Sequence, residues 1–197
     1  MCLHAIQSKA DFLVTSFNRT PQLKNIDTPR LILRPLTLDD APFIIKLVNT
    51  PGWLRFIGDK GVANLEGARR YLNEGPLKSY RENNYGLMAI VKKEDQASIG
   101  MCGLVRRSYL DHPDIGFAFL PESTGYGYAL EAVRAILECC SVDQRFRTIL
   151  AITSTDNTRS QHLLAKCGFL FVREILNDKS EPVFLYQCEL PPANESL

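Results

Sequence analysis

The chain has 197 residues, 45% hydrophobic and 23% charged, with 23 basic against 22 acidic side chains and a formal net charge of +1. That length suits one domain with a sizeable core, and the balance supplies no field for nucleic acid or an anionic membrane. No run approaches the ~20 apolar residues of a membrane-crossing helix, and the opening MCLHAIQSKADFLVTSF lacks the order of a signal peptide.

Residues 1–27 show no period and are expected to form an N-terminal extension. Its Phe12, Leu13, Val14 and Phe17 are candidates for docking, including on a partner subunit, so monomer and homodimer both stay open. Residues 28–191 carry the domain, and 192–197 are a tail. Thr28 to Leu36 alternates as a strand. Thr37 caps a helix with Asp39 and Asp40 in its first turn and an apolar stripe of Phe43, Ile44, Leu47 and Val48. Pro51-Gly52 is expected to end it. Asn64 caps a short helix through Ala68, Tyr71 and Leu72, and Gly75-Pro76 separates it from another helical turn over 77–81. Strands follow at 85–92 and 97–107, joined by the polar turn Lys93-Glu94-Asp95-Gln96.

Next comes an alternating strand, Asp114 to Leu120, stopped by Pro121. The turn Ser123-Thr124-Gly125-Tyr126-Gly127 leads into a helix with Leu130, Val133, Leu137 and Cys140 on one side. A strand at 147–153, a helix capped by Asp156 or Asn157 and closed at Gly168, and an antiparallel pair at 169–176 and 182–190 complete the chain. This order predicts a mixed α/β fold with one mostly antiparallel sheet.

Two stretches bear on chemistry. Gly125 and Gly127 let the backbone turn at a helix N-terminus, where unpaired N–H groups and the helix dipole favour a phosphate. An ordinary strand-to-helix connection explains the same residues equally well. In the preceding strand, Ile115, Phe117 and Phe119 share one face. Asp114, Gly116, Ala118 and Leu120 share the other, which is nearly bare and suggests something lying close to the backbone, whether a ligand or a packed helix. The third glycine of a dinucleotide fingerprint is missing, and no Gly-Lys-Ser/Thr makes a P-loop. The second stretch is Asn157 to Phe169, where Asn157 and Ser160 taken singly are a cap and a back-bonding helix residue. Six cysteines (Cys2, Cys102, Cys139, Cys140, Cys167, Cys188) form no C-x-x-C pair, and only three histidines accompany them. No metal is expected, and a reduced, cytoplasmic setting fits.

Together, TPRLILRPL, IGFAFLPESTGYGYALEA and NTRSQHLLAKCGF resemble the GNAT superfamily of acyl-CoA-dependent N-acetyltransferases, and more narrowly its RimJ/RimL-like branch, over roughly Thr28 to Leu190. The resemblance implies a sheet splayed between the strands at 114–120 and 147–153, with the pantetheine arm of acetyl-CoA in the gap. It implies a pyrophosphate on Gly125, Tyr126, Gly127, Tyr128 and Ala129, Asn157 on the pantetheine amides, and an oxyanion at the main-chain N–H groups of Phe119 or Leu120, where the family strand is bulged. Ser160 would hydrogen-bond the departing thiolate, since Leu164 stands where many relatives carry a tyrosine. Glu122 departs from the Gln/Arg that opens the family's turn. Asp114, on the open face, is the candidate base, ahead of Asp111, His112 and Glu131, with an ion pair as its structural alternative. Trp53, Phe56, Tyr80 and Tyr85 would line an acceptor wall or fill the core. The implied partners are acetyl-CoA and an amine acceptor, a protein N-terminus or a small amine, with no nucleic acid and no membrane. The alternative is a non-catalytic acyl-CoA sensor or scaffold.

Overall fold

The computed structural model describes residues 23–191. The apolar residues of the extension, Cys2 and the tail lie outside them. The strands are β1 (Ile26–Asp27), β2 (Leu31–Pro35), β3 (Leu87–Lys92), β4 (Ser98–Val105), β5 (Asp114–Phe119), β6 (Thr148–Ser154), β7 (Leu170–Leu176) and β8 (Pro182–Glu189). They form one sheet in the order β1-β2-β3-β4-β5-β6-β8-β7. Every pair is antiparallel except β5–β6, as the element order implies. The sheet starts earlier than the alternating pattern, because Ile26 and Asp27 pair with Leu33 and Ile32. Two residues are too few to show a period.

The helices are α1 (Ala41–Val48), α2 (Pro51–Phe56), α3 (Leu65–Glu74), α4 (Pro76–Asn83), α5 (Tyr128–Asp143) and α6 (Thr158–Lys166). Thr37 and Asp40 make a capping box that opens a short 3-10 turn ahead of α1. Pro51 does not end a helix. It sits in the first turn of α2, where its missing N–H costs nothing, and Thr50 caps it. Asn64 caps α3.

Two apolar layers sandwich the sheet. On one side, α1 and α3 bury Ile44, Leu47, Val48, Ala68 and Leu72 against Ala89, Val91, Met101 and Leu120. On the other, α5 buries Val133, Ile136 and Leu137 against Leu33, Ile90, Cys102, Ile115 and Ile149, and α6 adds Leu164. The side chains of β5 divide as their alternation requires. Ile115, Phe117 and Phe119 join the α5/α6 layer, and Ala118 and Leu120 join the α1–α3 layer.

Candidate active site

The sheet opens between β5 and β6. β6 pairs with β8 from Thr148↔Glu189 to Ser154↔Val183, but it meets β5 only at Asp114↔Leu150, where the Leu150 N–H donates to the Pro113 carbonyl at 2.9 Å. Beyond that point the two parallel strands have no partner in each other. The expected bulge in β5 is absent: the register with β4 runs unbroken from Gly100↔Phe119 to Val105↔Asp114. The opening comes from the divergence of β6.

Which groups face the opening follows from antiparallel alternation. The Leu120 N–H donates to the Ile99 carbonyl at 2.8 Å, so the backbone groups of Leu120, Ala118 and Gly116 turn to β4. Those of Phe117 and Phe119 turn toward β6. Of the two expected oxyanion donors, Phe119 therefore faces the gap, and Leu120 is already committed to β4.

The bare face of β5 has a different cause from the one expected. A Cβ on Gly116 would lie 3.1 Å from Val105 Cγ2 and 3.4 Å from Leu87 Cδ2, so neighbouring strand side chains fill the space above it. Nor is Asp114 on an open face. It is 1% exposed, and the single Arg107 Nε–H is shared between its two carboxylate oxygens at 3.0 Å each. Burial pushes the Asp114 carboxyl above the usual aspartate range, and Arg107 opposes the shift. Asp111 and His112 are exposed loop residues.

At the wide end of β5, the chain turns into α5. Gly125 and Gly127 have φ of 91° and 81°, the left-handed region that side chains disfavour. Among the described residues, nothing lies within 4 Å of a Cβ built on Gly125, and only Arg30 Nη2, at 3.5 Å, near one on Gly127. Among the described residues no side chain caps α5, so the first N–H groups of this 16-residue helix have no side-chain partner. Tyr126 is exposed and stacks on Tyr128 with ring centroids 5.9 Å apart. Ala129 and Leu130 are half-buried. The unwanted charge of Glu122 is offset by Lys46, at 2.6 Å.

The turn is braced by Glu131, which serves the structure and not the proton transfer, together with Thr28 and Arg30, to which sequence reasoning gave no role. Glu131 Oε1 accepts from the Thr28 hydroxyl at 2.6 Å and from the Arg30 N–H at 2.9 Å. Its Oε2 accepts from Arg30 Nε at 2.7 Å. Arg30 Nη1 donates to the Tyr126 carbonyl at 2.9 Å, and its guanidinium lies 4.6 Å above the Tyr128 ring. Burial pushes the Glu131 carboxyl up, but the bonds from Thr28 and Arg30 outweigh it and hold the pKa below the usual glutamate value. The local signal was the Thr28-Pro29-Arg30 stretch, which carries family likeness but says nothing of its partner.

Across the opening, Asn157 caps α6, its Oδ1 accepting from the Ser160 N–H at 3.1 Å. Among the described residues, neither Asn157 Nδ2 nor Ser160 Oγ has a hydrogen-bond partner, so back-bonding of Ser160 is not observed. Leu164, one helical turn further, is 1% exposed and belongs to the core. The aromatic wall divides. Trp53 is buried, with Nε1 donating to the Gly58 carbonyl at 3.1 Å. The Tyr80 hydroxyl bridges the Leu36 N–H and the Leu87 carbonyl. Phe56 stacks under Arg55, and Tyr85 meets Phe146 edge-on. Trp53 and Tyr85 therefore serve the core.

The family described as "Acetyltransferase (GNAT) domain" matches residues 30–170. The chain belongs to the GNAT acetyltransferases. A relative in Bacillus subtilis (strain 168), "Uncharacterized N-acetyltransferase YoaA", is 27% identical over 146 residues, covering 73% of this chain and 81% of the relative. Among solved structures, an acetyltransferase from Agrobacterium tumefaciens superposes with a TM-score of 0.72 at 20% identity, covering 84% of this chain and 94% of its own. RimL, a ribosomal L7/L12 alpha-N-protein acetyltransferase solved in complex with coenzyme A, superposes with a TM-score of 0.75 at 15% identity, covering 85% of this chain and 98% of its own. The protein is thus an N-acetyltransferase by family, with the mixed α/β fold of these enzymes. Among the described residues, no helix is long and apolar enough to cross a membrane, and no cluster of His, Cys, Asp and Glu could hold a metal ion.

Proposed function

We propose that the protein transfers an acetyl group from acetyl-CoA to a primary amine, a protein N-terminus or a small amine, by direct attack. The observation that carries this reading is the uncapped, glycine-lined start of α5 at the open end of the β5–β6 gap. Acetyl-CoA supplies the thioester. The N–H groups of Gly127, Tyr128 and Ala129 receive the pyrophosphate, favoured by the helix dipole. Arg30, anchored by Glu131, adds a positive charge beside Gly127. Asn157 Nδ2 is free to donate to a pantetheine carbonyl. The Phe119 N–H, turned into the gap, donates to the oxyanion, and Ser160 Oγ lies on the α6 side to hydrogen-bond the sulfur. Asp114, at the narrow end and about 16 Å along β5 from Phe119, receives the amine proton through ordered water in the gap. Its raised pKa suits a base.

Leu164 in place of a tyrosine and the Arg107–Asp114 ion pair favour one alternative, an acyl-CoA sensor without turnover. Two measurements decide. Acetyl-CoA at ~100 times Kd should stabilise the protein by about 2.7 kcal/mol, with NAD and ATP doing much less; equal shifts from all three would sink the reading. Thiol release across peptides and small amines then separates enzyme from sensor.

A further inference from the structure

Thr153 sits oddly in its strand. It is 7% exposed, and its hydroxyl is one of two buried side-chain polar groups without a partner among the described residues, the other being that of Tyr109. The residues before it, Ile149, Leu150, Ala151 and Ile152, are apolar. A valine would fill the same space without leaving a hydroxyl unbonded, an arrangement that costs the free protein stability.

Its position says what the hydroxyl faces. By alternation Thr153 lies on the same side of β6 as Ile149 and Ala151, which belong to the α5/α6 layer. That is also the side of Phe117, Phe119 and Leu164. Thr153 comes three residues after Leu150, the last residue of β6 paired with β5. Continued in parallel register, it would stand level with Phe117 across the gap. The unbonded hydroxyl, itself enclosed, therefore stands in the wall beside the opening, between the narrow end at Asp114 and the α6 cap at Asn157. On α6, Leu164 offers no hydroxyl, which leaves Ser160, one turn nearer the outer end, as the second donor toward the same sulfur.

We propose that Thr153 Oγ–H donates a hydrogen bond to the sulfur of coenzyme A and holds the thiolate as it leaves. The assignment rests on the acetyltransferase reading. When the amine attacks, the C–N bond forms and the C–S bond breaks, with the electron pair remaining on sulfur. The amine proton goes to the base, and Thr153 keeps its own, because a thiol of pKa ~8.5 is far more acidic than an alkyl hydroxyl. An oriented donor in a dry slot lowers the energy of that charge without reorganisation.

The test uses the full chain with Thr153→Val, Thr153→Ser and Thr153→Cys. Thr153→Val should melt at or above the wild-type temperature, yet bind CoA at alkaline pH, where its sulfur is a thiolate, about tenfold more weakly, the loss of one charge-assisted hydrogen bond. Thr153→Ser should keep most of the affinity. The Thr153→Cys thiol should exchange with CoA disulfide, releasing one CoA and gaining a mixed disulfide visible as one added CoA in the intact mass, under conditions that leave the wild type unmodified. Equal thiolate affinity in Thr153→Val and wild type overturns the assignment, and so does the absence of the adduct. If CoA fails to shift the melting of the wild type at all, the acetyltransferase reading falls with it. A shift that Thr153→Val retains in full at alkaline pH overturns the Thr153 assignment alone.

Discussion

Gly127→Ala separates access from packing at the phosphate turn. The new Cβ meets only Arg30 Nη2, at 3.5 Å, an ordinary contact, so no clash threatens the fold. The backbone cost remains, because φ is 81°, and a non-glycine residue there loses ~1–2 kcal/mol. Reduced freedom of the unfolded chain returns about 0.4–1 kcal/mol, leaving roughly 0–1.5 kcal/mol. At about 2–4 °C per kcal/mol for a chain of this size, the melting temperature should fall by no more than ~6 °C. The methyl group would stand where the proposed phosphate oxygens would sit. Losing one charge-assisted bond, ~1.5–3 kcal/mol, should weaken CoA binding by about 10- to 150-fold. Calorimetric titration with CoA, paired with thermal melts, reads both quantities. An unchanged Kd refutes the phosphate cradle, and a fall in melting temperature well beyond ~6 °C shows that Gly127 serves packing instead.

Asn157→Ala should raise KM for acetyl-CoA, with a loss of ~1 kcal/mol from the missing cap; steady-state kinetics and melts check both. Ser160→Ala should lower kcat with little change in KM, because the thiolate exists only late in the reaction, and a KM effect alone would remove it from the chemistry. Asp114→Asn should cost about 1–2 kcal/mol, less than a fully broken buried pair, because asparagine still accepts a bond and Arg107 is partly exposed to water. It should also lower kcat/KM roughly ten- to a thousandfold at pH 7, with recovery at pH 9, where the acceptor amine deprotonates itself; an unchanged rate per folded molecule leaves Asp114 purely structural. The depressed pKa of Glu131 stabilises the fold above the ordinary glutamate value of ~4.3, and this contribution disappears as pH falls through the lower folded value. Glu131→Gln should therefore lower the melting temperature at neutral pH and flatten the acid side of its pH profile, and a parallel profile would refute the Thr28–Glu131–Arg30 brace.

Local regularities determined much of this protein. Alternation over Asp114–Phe119, the glycines at 125 and 127, the caps Thr37, Asn64 and Asn157 and the apolar period of α5 are each written within a few residues, because strand and helix faces repeat every two or 3.6 residues. They placed the strand, turn and helix that carry the candidate phosphate site. Thr50 before Pro51 was an equally local signal for the start of α2, and only a reading of proline as a stop obscured it. What the chain decides at a distance is written in no local period, and the splay of the sheet was legible only through family resemblance. The gap exists because β6 takes β8 as its partner and leaves β5 after Leu150, and strand partnership has no period. Gly116 is small because Val105 and Leu87 occupy its face, Asp114 is closed off by Arg107, and Arg30 reaches Glu131 and Tyr126 from the far end of the chain. Side-chain environments of this kind are set by which segments meet across the sheet, a choice made by the whole core at once and visible only in the tertiary structure.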